Sequence, residues 1–176
     1  MLTTKLLAVL TAIVMLGSTM AAINFMVWAD SDTRDFKARL AGFNEVPAIS
    51  TTGTGTFQAK LNKDGTILEY ELSYSGLSGG TVSAAHIHLG ASRTNGGVIA
   101  FLCGGGGKPA CPATGGTVTG MISITDVVGP AGQGIAAGEF DEFVRAVQSG
   151  VAYANVHTTP MWPGGEIRGQ INENND

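Results

Sequence analysis

From Thr54 to Tyr74 the chain alternates apolar and polar side chains in two runs, separated by Asn62-Lys63-Asp64-Gly65. Successive side chains of a strand point to opposite faces, so Phe57, Ala59 and Leu61 share one face and Thr56, Gln58 and Lys60 the other. In the second run Leu68, Tyr70, Leu72 and Tyr74 oppose Glu69, Glu71 and Ser73 in the same way. Asp-Gly supports the positive φ of a tight turn, so the two runs read as a hairpin. Its apolar face has to be buried against a second layer.

The same period recurs along the chain. Phe36, Ala38 and Leu40 alternate with Lys37 and Arg39 up to Gly42, and Pro47 forbids a central strand just beyond. Further strands are expected at 82–89, 117–124, 151–157 and 166–171, while the wholly apolar 98–102 is expected to be buried on both sides. The exception is the stretch from Glu139, where Phe140, Phe143, Val144 and Val147 fall at helical spacing. Acidic residues occupy its first turn and Gly150 follows, so one short helix is predicted near residues 139–149. Short strands with regular turn signals predict an all-β fold, an antiparallel Greek-key β-sandwich or barrel. A length of 176 residues suits a single domain, placed at 36–172 after a polar linker at 30–35.

Residues 1–29 read as a targeting segment. Lys5 precedes the apolar run Leu6 to Leu16, and the small residues Gly17, Ser18, Ala21 and Ala22 follow. Cleavage after Ala21, Ala22 or Ala29 gives a signal peptide. A second reading retains residues 6–29, which carry no charge, as an N-terminal membrane anchor. Either way the protein is expected to be exported, to a secreted, periplasmic or cell-surface address. Cys103 and Cys111 are the only cysteines, and in an oxidising compartment they read as a disulfide across a glycine-rich loop; a thiolate metal site is the competing reading. The net charge is −4 and the ten Lys and Arg residues form no stripe, which argues against nucleic acid. No nucleophile elbow is present, and Gly104 to Gly107 precedes no Gly-Lys-Ser/Thr, so neither a hydrolase nor a phosphate loop is indicated.

The chain has three histidines. His86 and His88 sit one residue apart, on the face opposite Ile87 and Leu89. His157 falls in the alternation Tyr153-Ala154-Asn155-Val156-His157-Thr158. Core-facing Ala152, Ala154 and Val156 put Tyr153, Asn155 and His157 on the outer face, and Ile167 and Ile171 do the same for Glu166, Arg168 and Gln170. If these strands are neighbours, three imidazoles converge beneath the glycine-rich loops, a set suited to Zn, Cu, Fe or Ni with one position open. Tyr153, Asn155 and Glu166 are expected around the ligands, supporting them rather than binding the ion. Solvated surface histidines that bind nothing are the other reading. Arg168 is expected either to attract a small anion or to pair with Glu166.

Several motifs resemble the CHRD domain, the module repeated in chordin. They are Phe36 to Leu40 with Gly42, Asn44-Glu45-Val46-Pro47, Gly53 and Gly55, Ala85-His86-Ile87-His88-Leu89-Gly90, Gly97-Val98, Gly150, Tyr153 to Thr158, and Pro163 to Gln170. The likeness covers about residues 34–172 and implies an extracellular module without a well-defined biochemical role. The His-X-His pair on an outer barrel face is more distantly similar to Cu/Zn superoxide dismutase. The chain departs from that enzyme in lacking histidines for a bridging ligand and a separate zinc site.

These readings predict a mononuclear three-histidine copper site, with zinc as the alternative metal. Superoxide dismutase-like redox chemistry would act there on a small anion or dioxygen species. The competing expectation is a non-catalytic extracellular interaction or adhesion module that binds a protein partner at the cell surface and no metal.

Overall fold

The computed structural model describes residues 33–173. The predicted leader lies outside them, as does the first half of the predicted linker. Of that linker, Arg34 and Asp35 already belong to a strand, pairing with Leu61 and Lys60. The strands are β1 (Arg34–Ala41), β2 (Thr54–Leu61), β3 (Leu68–Ser75), β4 (Gly80–Leu89), β5 (Val98–Cys103), β6 (Gly116–Ile122), β7 (Ala152–Pro160), β8 (Trp162–Gln170) and β9 (Asn172–Glu173). One helix, α1 (Phe140–Gln148), precedes β7. No helix among the described residues is long and apolar enough to cross a membrane.

The predicted hairpin forms with Leu61 opposite Leu68. Its turn is fixed by the Asn62 side-chain oxygen, which accepts from the Thr66 and Ile67 amides, while Gly65 takes φ 68°. All the strands join one antiparallel sheet in the order β5-β4-β7-β8-β1-β2-β3-β6, with β9 added against β1. The sheet curls into a nearly closed barrel. Across the gap between its ends the Tyr70 hydroxyl donates to the Leu102 carbonyl at 2.7 Å. On the opposite side β1 and β8 are joined by a single backbone pair, Ala41 with Arg168.

The inward faces fill the barrel. Phe57, Leu72, Ile87, Leu102 and Ile167 are fully buried there, each such side chain contributing about 1.5–3 kcal/mol. The helix stays where the spacing put it: Phe140, Phe143 and Val147 are buried, and Gly150 closes it at φ 67°. Three details differ from the sequence reading. First, β5 is not buried on both sides, because Val98 and Phe101 are only partly covered and Phe101 faces outward. Second, β8 begins at Trp162, not Glu166. Thr158 pairs with Trp162, so the hairpin runs on through Pro163, Gly164 and Gly165 beyond an irregularity at Val156–Thr158. Third, short 3₁₀ turns appear at Gly42–Asn44, Ile124–Asp126 and Ala131–Gln133.

Candidate metal centre

In the sheet β4 lies beside β7 and β7 beside β8. His86 stands opposite Asn155 and His88 opposite Tyr153, while Asn155 in turn faces Arg168 and Tyr153 faces Gln170. Directly opposed residues share a face, so the polar side chains lie together on the outside of the barrel, as the alternation required. That face is not solvated. Loops cover it, leaving His88 and His157 only 8% exposed and His86 partly exposed.

The three imidazoles meet. One ring nitrogen from each lies within 4.8 Å of the others. His88 Nδ1 is 3.0 Å from the Gly96 carbonyl and His157 Nδ1 is 3.0 Å from the Pro163 carbonyl. A carbonyl only accepts, so both Nδ1 atoms carry the proton and both Nε2 atoms present lone pairs. His157 Nε2 therefore accepts from His86 Nδ1, 3.0 Å away, which leaves a lone pair on His86 Nε2 as well. His86 Nε2 and His88 Nε2 are buried and have no hydrogen-bond partner. Burial, then the neighbouring imidazoles, push His86 down to about 3. Burial outweighs the Gly96 bond and takes His88 to about 4, and burial lowers His157 too. All three rings are thus neutral, the form that binds metals, and the His157 Nε2 lone pair is held by the His86 Nδ1 hydrogen bond until an ion takes its place.

The surroundings hold the rings. Phe101 stands edge-on to His86 with 4.5 Å between centroids. The Tyr153 hydroxyl accepts from the Gly96 amide at 3.2 Å, the same residue whose carbonyl anchors His88. Asn155 makes no bond to a histidine; its amide donates to Glu45 and to the Ile167 carbonyl. Gly165, at φ 127°, admits this arrangement, since a Cβ there would lie 2.6 Å from the Asn155 amide atoms and 2.7 Å from Glu45.

Glu166 is elsewhere. Its carboxylate accepts from the Thr51 and Thr158 hydroxyls and the Ser78 and Gly79 amides, which keeps its pKa low despite burial. It tethers two loops and pairs with neither Arg168 nor a histidine. The Arg168 guanidinium instead lies 3.3 Å over the Tyr153 ring and donates to Ala91 O and Asn95 Oδ1. Because β7 runs between β4 and β8, His88 and Arg168 flank Tyr153 from opposite sides. Cys103 and Cys111 are bonded, as expected. Sequence reasoning missed two neighbours of the site, Phe101 and Glu45. The first was hidden in an apolar run and the second in a loop.

A family model for the CHRD domain matches residues 36–171. The chain belongs to the CHRD domain family. No curated protein and no solved structure matches it. For this CHRD domain the likeness to superoxide dismutase therefore rests on the His-X-His pattern alone. The disulfide fits an oxidising compartment.

Proposed function

We propose that this CHRD domain is an exported module holding one transition-metal ion, copper in preference to zinc, on His86, His88 and His157. The observation that carries the reading is the pair of buried, partnerless nitrogens, His86 Nε2 and His88 Nε2. An unsatisfied buried polar atom costs about 1–3 kcal/mol, and a metal ion relieves both at once. Two further features support it. Carbonyl anchors on Nδ1 are what metal-bound histidines ordinarily have on their far nitrogen, and three neutral imidazoles match the preference of copper and zinc. Copper heads the affinity order for nitrogen donors, and the disulfide and the leader-like residues 1–29 favour an address outside the cytosol.

When bound, copper supplies one-electron redox chemistry, and superoxide dismutation is the first reaction to assay. The chain's own parts have separate tasks. Gly96 and Pro163 hold the tautomers, Phe101 and Tyr153 wall the rings from water, and the partly exposed His86 marks the side nearest solvent. Arg168, screened from the histidines by Tyr153, acts on the centre through its charge and not as a rim group.

Metal content and copper EPR after reconstitution test the proposal, with the His86→Ala/His88→Ala/His157→Ala protein as control and circular dichroism to verify its fold. Near one equivalent of copper with nitrogen hyperfine structure is expected only in the wild type. Equal, negligible copper in both sinks it and leaves the interaction-module reading.

A further inference from the structure

Behind Tyr153, away from the histidines, a cleft of about 550 Å³ opens between the 43–48 loop and the Ser92–Arg93 turn, with Arg168 and Gln170 in its lining. That volume falls within the range of small-ligand sites. Arg168 is 2% exposed. Among the described residues no carboxylate lies within ion-pair distance of it. Its hydrogen-bond partners are the Ala91 carbonyl and the Asn95 amide oxygen, so two of its five N–H groups are engaged. A buried cation is ordinarily paired, because removing it from water costs several kcal/mol. Here stacking on Tyr153 fixes the guanidinium plane, and its charge is offset only through space, by Glu45, without an ion-pair contact.

The remainder of the cleft says what would compensate it. Arg93, exposed and held at φ 66°, adds a second positive charge at the mouth. Phe43, Val46 and Pro47 give one wall a hydrocarbon surface, with Phe43 75% exposed. The acid in the lining is Glu45, whose carboxyl accepts from the Asn155 amide and which burial pushes up to about 7. Glu45, Arg93 and Arg168 are the charged or titratable groups that line the cleft. A planar guanidinium matches a carboxylate through two parallel hydrogen bonds, and the apolar wall suits a short carbon skeleton more than an inorganic oxyanion.

We propose that this cleft binds a small organic carboxylate, with Arg168 as its counter-ion, Arg93 at the entrance and the body of the ligand against Phe43 and Val46. The site is separate from the histidine cluster and stands whether or not that cluster holds a metal. Benzoate is the probe, titrated into chelator-treated full-length protein and followed by amide chemical shifts. Saturable shifts confined to the 43–48 and 91–95 segments are expected. Arg93→Gly, which removes the charge at a backbone position glycine tolerates, should weaken binding about fivefold. Glu45→Gln should strengthen it at pH 8, where the wild-type carboxylate opposes the ligand. Arg168→Met should abolish it if the protein folds; the two other variants decide the matter if it does not. Shifts that fail to saturate, or affinities unchanged in Arg93→Gly and Glu45→Gln, overturn the proposal.

Discussion

The Tyr153 phenol ring lies parallel to the His88 imidazole, with 4.9 Å between centroids and 5° between planes. The pair occupies a face that has no share in the barrel core, so the loss of the phenol would leave the imidazole without support. Tyr153→Ala is expected to cost about 3–5 kcal/mol in urea denaturation, as for other large buried aromatics. Tyr153→Phe, which gives up only the Gly96 amide bond, should cost about 1 kcal/mol. If the metal proposal holds, copper affinity falls in Tyr153→Ala by about 10–100-fold and changes little in Tyr153→Phe.

Proton linkage gives the metal-free protein a definite acid sensitivity. The three imidazoles have folded pKa values below the ordinary 6.5, so the unfolded chain takes up protons that the folded one refuses. Stability from them is complete above about 6.5 and is lost as pH falls through the folded values, about 4 for His88 and about 3 for His86. Glu45 has the opposite sign: its value is raised from 4.5 to about 7, so it destabilises as pH rises through that interval. Urea midpoints measured from pH 8 to pH 4 should therefore fall more steeply on acidification in Glu45→Gln than in the wild type. An unchanged profile would contradict the assignment.

Glu166 offers a contrast, since its four hydrogen bonds serve the fold and not the histidines. In Glu166→Gln an amide NH₂ would meet donors where the carboxylate met only donors. A loss of about 2–4 kcal/mol is expected, with bound metal per folded molecule unchanged. A loss of metal without a loss of stability would place Glu166 in the centre instead.

The disulfide couples to the same face through Phe101. Cys103 follows Phe101 on β5, and Cβ atoms added at Gly105 or Gly106 would meet the Phe101 ring at 2.5–2.6 Å, so the cystine loop is wrapped on the ring that abuts His86. Cys103→Ala/Cys111→Ala should cost about 2–3 kcal/mol by loop closure for an 8-residue separation. It should also broaden the His86 ring resonances more than those of His88, as read by NMR.

Much of this was legible in the residues, for a specific reason. A period of two fixes a face absolutely, so Ile87 inside meant His86 and His88 outside, and Ala154 and Val156 meant the same for Asn155 and His157. Neighbouring strands then had only to be paired for the three rings to meet. What alternation cannot encode is what covers a face. Burial of the histidines under the 90–97 and 163–165 segments, the carbonyls that set their tautomers, and the approach of Glu45 are all contacts made by loops. The start of β8 was obscured because Pro163, Gly164 and Gly165 have turn chemistry, which the pairing of Thr158 with Trp162 overrides. Glu166 was misplaced for the same reason, since the irregularity beside Thr158 breaks the parity on which its facing was judged.

β1 and β8 share a single backbone pair, and that pair includes Arg168, whose carbonyl also accepts from the Asn44 side chain. A residue that lines the cleft is therefore also the one that pairs β8 with β1 in the barrel wall. Opening of the barrel along this line would have to break that pair together with the two that β9 makes with β1, Phe36 with Glu173 and Lys37 with Asn172. An occupant of the cleft, by holding the guanidinium in place, would clamp the two strands against such opening and slow amide exchange far from any atom it touches.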